Sequence, residues 1–322
     1  MIEKKIMYFD KRPPQIEKCF IQTALPDIDL CFYEPSYGKQ GKLEEAEVLI
    51  CNSRGVKKDI IDRAPNLKMV SIAGIGYDAH DIEYAKEKGI YICNCNGGAS
   101  DTVAEFDIGL MIDLSRRITQ LSNEVRQGSW NNWKYRDETH TLSGKTLGVI
   151  GAGGIGKALL RKSKAFNMRG IYYDLFRMDE QMEKDLDVEY MEMNELLKEA
   201  DYVALLVPLL PSTRHILGKE QFALMKKNAI VLNDSRGECI DQDALVEALR
   251  SKQIWGAALD VVTPEPLPPD APILNIPDSN VLITPHLGSA TVELMNGLFR
   301  EACDNAISFL SGERPKNIVN GL

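Results

Sequence analysis

The chain has 322 residues, of which 44% are hydrophobic and 26% charged. That suits two ordinary domains of about 100 to 200 residues each and excludes a disordered, collagen-like or small disulfide-stapled protein. With 38 Lys and Arg against 47 Asp and Glu the net charge is −9, which leaves little to neutralise a phosphate backbone, so no nucleic-acid partner is expected, and an anionic small molecule must be met by a few locally placed cations.

The N-terminal MIEKKIMYFDKRPP carries acids among its early charges and an apolar core of only four residues, too short for a secretory signal. The longest strongly apolar run, Tyr202 to Leu210, has nine residues including a proline, against about 20 for a spanning helix. A cytoplasmic protein with no membrane partner is expected. The seven cysteines are odd in number and scattered, which reads as buried thiols in a reducing compartment. Cys93 and Cys95 form a C-x-C with no second pair, so no metal is expected.

Short β-rich runs alternate with helical periods, the pattern of parallel sheets wrapped by helices. In the first hundred residues KIMYF, LCFYE, EVLIC, KMVSI and IYICN predict strands, with helices around Gln15 to Ala24, Lys58 to Ala64 and Asp81 to Lys88. A longer helix is expected from about Asp101 to Gln127, opened by Ser100 and Thr102, with Glu105 placed as in a capping box. The polar stretch GSWNNWKYRDETH then reads as a loop or arm. From Thr146 a second series, TLGVI, GIYYD, YVALLV, AIVLND, GAALDV and NVLIT, predicts a second parallel sheet. The amphipathic stretch Val292 to Leu310 has no strand left to feed and should pack back across the junction. The expected fold class is α/β with two doubly wound parallel-sheet domains: residues 1–100, residues 101–289, and residues 290–322 returning to the first.

In TLGVIGAGGIGKALL, Gly151, Gly153 and Gly156 form G-x-G-x-x-G directly after an apolar strand and at the mouth of a helix. The first glycine permits the tight turn, the second lets backbone approach a pyrophosphate, and the third lets helix and strand pack closely. Gly154 and Ile155 complete the turn, whose N–H groups lie at the positive end of the helix dipole. Asp174 ends the next strand, 23 residues after Gly151, near the spacing of the acid that bonds the adenosine ribose and repels a 2′-phosphate. The cofactor expected is NAD rather than NADP.

Further motifs follow in order: AGIGYDAHDI at Ala73 to Ile82, DTVAE at Asp101 to Glu105, LNDSRG at Leu232 to Gly237, LDVVTPEPLP at Leu259 to Pro268 and TPHLGSAT at Thr284 to Thr291. With the fingerprint mid-chain and a helix returning at the end, the chain from about Val48 to Leu310 resembles the D-2-hydroxyacid dehydrogenase family. TPEPLP, HLGSAT and the W-x-x-W-K arm look most like its glyoxylate/hydroxypyruvate reductases. The resemblance implies a flavodoxin-like substrate domain beside a Rossmann NAD domain, and an NAD-dependent reductase of small 2-oxo acids that also oxidises 2-hydroxy acids.

Such a reduction needs a hydride donor, a proton donor for the carbonyl oxygen and a cation for the carboxylate. His286 alone of the four histidines follows an apolar strand in a turn at the C-terminal edge, where open α/β sheets bind ligands, and an imidazole there can protonate the developing alkoxide. The resemblance pairs it with Glu265 and gives Arg236 the substrate carboxylate, for which its planar fork suits. It also implies carboxylate-binding N–H groups at Gly74, Ile75 and Gly76, a contact from Asp260 to the nicotinamide amide, and cofactor contacts at Thr102, Pro208, Asn233 and Gly288. Asn52 and Arg54 match positions that contact the substrate side chain, and Trp133 matches a tryptophan that reaches the partner's substrate pocket in a homodimer. Leu210 and Asn96 depart from the family's usual Thr and Pro. An NAD-binding corepressor on the same scaffold is the competing class, because fold alone does not fix function; a formate dehydrogenase is disfavoured by Glu265.

Overall fold

The computed structural model describes residues 5–10, 29–52, 54–95, 98–277 and 280–322. The helix expected over Gln15 to Ala24, Cys19 and Asn96 lie outside the described residues. The chain divides into two compact units, Met1–Ala99 with Ala290–Leu322, and Ser100–Ser289.

In the first unit β1 (Lys5–Tyr8), β2 (Asp29–Phe32), β3 (Val48–Cys51), β4 (Met69–Ile72) and β5 (Tyr91–Cys93) form one sheet in the order β2-β1-β3-β4-β5, with every pair parallel. Side chains alternate along a strand, so the same strands feed two cores. Ile6, Tyr8, Val48 and Ile50 pack with Leu298, Phe299 and Ala302 of the helix Val292–Leu310. Met7, Phe9, Leu49 and Cys51 pack on the opposite face with Ile61, Ala64 and Ala85. The returning helix is therefore one wall of the first sheet, and Ser71 Oγ fastens it by donating to Ala302 O at 2.9 Å.

In the second unit β6 (Thr146–Ile150), β7 (Arg169–Tyr173), β8 (Val188–Tyr190), β9 (Tyr202–Leu205), β10 (Ile230–Asn233), β11 (Gly256–Leu259) and β12 (Asn280–Ile283) form a parallel sheet in the order β12-β11-β10-β9-β6-β7-β8. The order reverses at β6, with β7 and β8 on one side and β9 to β12 on the other, which opens a crevice beyond the carboxyl ends of β6 and β9. The sheet has seven strands where six were expected. The extra one, β8, is a three-residue Val-Glu-Tyr edge with no fully buried side chain, too short and too polar to stand out.

The single helix expected from Asp101 to Gln127 is two helices, Ala99–Arg116 and Ile118–Arg126. Arg117 between them is left-handed, with φ 52°. Its buried guanidinium pairs with Glu138 at 2.8 Å and lies over the rings of Tyr135 and Trp255. Drawing that side chain inward breaks the helical ladder, and Asp113 closes the new N-terminus by accepting from Thr119 N and Thr119 Oγ1. The expected capping box is also absent: Thr102 lies inside the first turn, and Glu105 pairs with Lys162 at 2.9 Å.

Candidate active site

After β6 the chain turns through Gly151, whose φ of +99° and approach to Leu206 O, 2.5 Å from where a Cβ would sit, both require glycine. A Cβ on Gly156 would lie 2.3 Å from Gly151 O, so the helix Gly154–Lys164 starts here only because that position is bare. Around Gly153 the reverse holds, since a Cβ there would meet nothing within 4 Å. The helix N-terminus through Gly154, Ile155 and Gly156 has no side-chain cap. Open room at the positive end of a helix is a cradle for a diphosphate.

Asp174 directly follows β7. Its Oδ2 accepts from Ala152 N at 2.8 Å and its Oδ1 from Phe176 N at 3.0 Å, which ties the acid to the glycine turn and leaves each oxygen a lone pair for a ribose hydroxyl. Arg177, the cation that could accommodate a 2′-phosphate, is held by Glu183 at two points, 2.8 and 2.9 Å. Arg177 and the Tyr172 hydroxyl hold the Glu183 carboxyl down to about 2. Thr102 is half-buried beside this turn, in the same helical turn as Ser100, whose Oγ lies 2.6 Å from a Cβ built on Gly154. Pro208 is exposed beyond β9, and its carbonyl accepts from Thr213 Oγ1 at 2.6 Å.

Beyond β10, Asn233 is 1% exposed and shapes the turn that presents Arg236: its Oδ1 accepts from Ser235 N and Oγ, and its Nδ2 donates to Arg236 O at 3.0 Å. Arg236 Nη1 donates to Ser235 O at 2.6 Å. Beyond β12, His286 takes a left-handed φ of 57°, a conformation that costs a non-glycine residue about 1 to 2 kcal/mol. Two bonds hold it there, from His286 N to Asp260 O at 2.9 Å and to Thr284 O at 3.0 Å. The ring meets Glu265 with Nδ1 and Oε1 2.9 Å apart, and since an ionised carboxylate only accepts, Nδ1 carries the hydrogen of that bond.

Asp260, expected at the nicotinamide, is spent first on the turn that carries His286. It is 2% exposed, and its carboxylate accepts from Thr284 Oγ1 at 2.6 Å, Leu287 N at 2.8 Å and Gly288 N at 2.7 Å. Gly288 must stay bare, because a Cβ would lie 3.1 Å from Asp234 Oδ1 and 3.2 Å from Asp260 Oδ2. Asp234 and Asp107, which meet here, escaped the sequence reading. The available signal was an acid at the apolar phase of a helix, with Asp107 in register with the buried Ala104, Ile108 and Met111.

In the first unit, the carbonyls of Gly74 and Ile75 are used inward, accepting from Cys95 N at 2.9 Å and Asn94 Nδ2 at 2.8 Å. Ile75 and Gly76 are exposed, and no backbone carbonyl among the described residues takes their N–H groups. Asn52 is committed to the fold through Asp10 and Ala73 O. Arg54 pairs with Glu34 at 3.0 Å and stacks over Phe9 and Tyr33, so its charge is already balanced. His80 is a structural histidine: its Nδ1 accepts from Val56 N at 3.2 Å, and burial holds it down to about 4. In the arm, Tyr135 folds back to bond Gln120 and Glu124, whereas Trp130 and Trp133 are 84% and 64% exposed. Six cysteines among the described residues are buried, and burial pushes the Cys93 and Cys95 thiols up to about 12. Among the described residues no group of His, Cys, Asp or Glu is placed to hold a metal ion, and no helix is long and apolar enough to cross a membrane.

A phosphate cradle at a sheet's switch point, an acid at the end of the next strand and a histidine–carboxylate pair at the same edge together define a nicotinamide-dependent dehydrogenase. Residues 108–288 match the family model of the D-isomer specific 2-hydroxyacid dehydrogenase NAD binding domain. The chain is 40% identical over 267 residues to a glyoxylate reductase of Korarchaeum cryptofilum, covering 82% of this chain and 80% of that protein. It is 36% identical over 323 residues to a glyoxylate reductase of Thermococcus litoralis, covering 94% and 96%. The structure of a D-lactate dehydrogenase from Aquifex aeolicus complexed with NAD and lactic acid superposes with a TM-score of 0.85 at 27% identity, covering 98% of this chain and 99% of that one. The chain belongs to the D-isomer specific 2-hydroxyacid dehydrogenase family, and the protein is an NAD-dependent oxidoreductase acting on small 2-hydroxy and 2-oxo acids.

Proposed function

We propose that this enzyme chiefly reduces small 2-oxo acids, glyoxylate or hydroxypyruvate among them, and prefers NADH to NADPH. The observation that carries the reading is the 2.9 Å bond between His286 Nδ1 and Glu265, which fixes the ring and leaves Nε2 to serve the substrate oxygen. NADH supplies the hydride when bound. His286 gives its proton to the developing alkoxide and recovers it when a hydroxy acid is oxidised, while Glu265 orients the ring and stabilises the imidazolium. Arg236 grips the substrate carboxylate with its planar fork; in the other unit, the exposed N–H groups of Ile75 and Gly76 are donors that carry no charge.

The unit Ser100–Ser289 holds the cofactor, with the glycine turn on the diphosphate, Asp174 on the ribose, and Thr102, Pro208 and Asn233 lining its path. The other unit serves the substrate. Asp174 repels a 2′-phosphate, and the nearby Arg177 is occupied by Glu183. The names of the relatives support the substrate class. Trp130 and Trp133 in the arm, and Ile118 and Val125 on the preceding helix, are exposed apolar side chains of the kind a homodimer would cover.

The test is NADH and NADPH oxidation against glyoxylate, hydroxypyruvate, pyruvate, phenylpyruvate and 2-oxoglutarate. Efficient turnover of the two smallest hydrophilic acids with NADH is expected. Equal efficiency with NADPH would refute the cofactor preference, and no turnover of any 2-oxo acid would refute the reaction.

A further inference from the structure

Three carboxyl groups meet beneath the turn that carries His286. Asp107 comes from the middle of the helix Ala99–Arg116, Asp234 from the end of β10 and Asp260 from the end of β11. Both carboxyl oxygens of Asp107 and of Asp234 are sealed from solvent and receive no hydrogen bond from an N–H or O–H among the described residues. Asp260 differs, since Thr284, Leu287 and Gly288 fill three of its four acceptor positions. Gly288 brings the two acids together, because a Cβ on it would touch Asp234 Oδ1 and Asp260 Oδ2 at nearly equal distance.

Three adjacent buried negative charges cannot coexist without a cation, and no group with metal-binding geometry occurs among the described residues. Thr284, Leu287 and Gly288 already supply Asp260 with three hydrogens. The proton demanded by the cluster therefore falls to the two acids without donors. We propose that Asp234 is a neutral carboxylic acid in the working enzyme, and that its O–H is a positioning bond, given to the flanking carboxylates of Asp107 and Asp260, that holds Asp260 and through it the His286 turn. Burial and the neighbouring carboxylates push Asp234 up; burial pushes Asp107 up less far, with the bond to Asp234 opposing it, as a proton-sharing pair requires.

The titratable groups facing Asp234 are Asp107 from the helix and Asp260 from the strand end. The turn beyond β12 faces it with Gly288, and its one titratable side chain, His286, is bonded to Glu265. Along its own turn, Arg236 donates to Ser235 O.

The sign of the pH effect follows. An Asp raised in the native state binds a proton that the unfolded chain releases above about 3.9, so folding stability declines as pH rises from there until the native group itself titrates. Asp234→Asn keeps the shape and a donor but removes the linkage. The expected result is an Asn variant whose Tm gain over the native enzyme grows from pH 5 to pH 8, and an infrared band of a protonated carboxyl, present in the native protein at pH 7, that the variant lacks. Asp234→Ala should lower kcat at least several-fold, and Asp234→Asn should restore it.

A missing band at pH 7, or melting curves of native and Asn proteins that run parallel across pH, would overturn the neutral acid. Unchanged turnover in Asp234→Ala would overturn the positioning role. The proposal rests on the reading of His286 as proton donor, but the infrared and melting measurements use no substrate and stand or fall independently of that reading.

Discussion

Asp174, Asp260 and Asp234 all follow strands of one sheet, yet the donors around them give each a different role. Asp174 accepts two backbone N–H groups and keeps a lone pair on each oxygen for a ligand. Asp260 is buried and almost saturated by its own turn. The ionisable groups beside Asp234 are other acids, Asp107 and Asp260. For Asp174 the consequence is direct. Replacing it with Ser removes charge-assisted bonds worth about 1.5 to 3 kcal/mol, so kcat/KM with NADH should fall about 10- to 100-fold, while kcat/KM with NADPH should rise as the repulsion disappears. Steady-state kinetics with both cofactors checks this, and an unchanged ratio would remove Asp174 from the ribose.

The strand-end positions of Arg236 and His286 were legible because each lies in a short motif. The Pro-His-Leu-Gly and Ser-Arg-Gly turns are local, so sequence order places His286 and Arg236 at the edge where ligands bind. Asp107 was not legible. Periodicity shows that position 107 faces inward with Ala104 and Met111, but not which side chain of a strand 127 residues later meets it. Arg54 shows the opposite difficulty, a cation in a promising loop whose partners Glu34, Phe9 and Tyr33 come from elsewhere in the chain.

Among the elements, the buried strands were readable to within two residues at each end. TLGVI is β6 without a shift, because five consecutive buried residues after a polar turn can do little else. β8 escaped because an edge strand needs neither length nor burial. The break at Arg117 escaped for a different reason. Ile118, Leu121 and Val125 continue the apolar period of the preceding helix, and the kink comes from a tertiary pull, the burial of one guanidinium between Tyr135, Trp255 and Glu138. Local propensity is overridden where such a side chain must be satisfied inside.

For the whole molecule, the exposed tryptophans bear on assembly. Tyr135 anchors the arm to its own helix, whereas the Trp133 ring is met by the Arg136 guanidinium at 4.5 Å and is otherwise largely open. A homodimer covering this face should let Trp133 limit substrate size in the partner. Trp133→Ala should then accept bulkier acids such as phenylpyruvate, with NADH affinity almost unchanged. Sedimentation of the native enzyme as a fully active monomer would defeat both parts of that expectation.

The central claim is that His286, held in its strained turn and oriented by Glu265, supplies the proton for reduction. Its most direct test is the single-turnover rate of NADH oxidation by glyoxylate in the native enzyme and in His286→Asn, with NADH binding followed separately by fluorescence. Loss of a general acid costs about 10²- to 10⁴-fold, so the variant should bind NADH normally and oxidise it slower by that factor. A variant that binds NADH and turns over within a few-fold of the native rate would contradict the account.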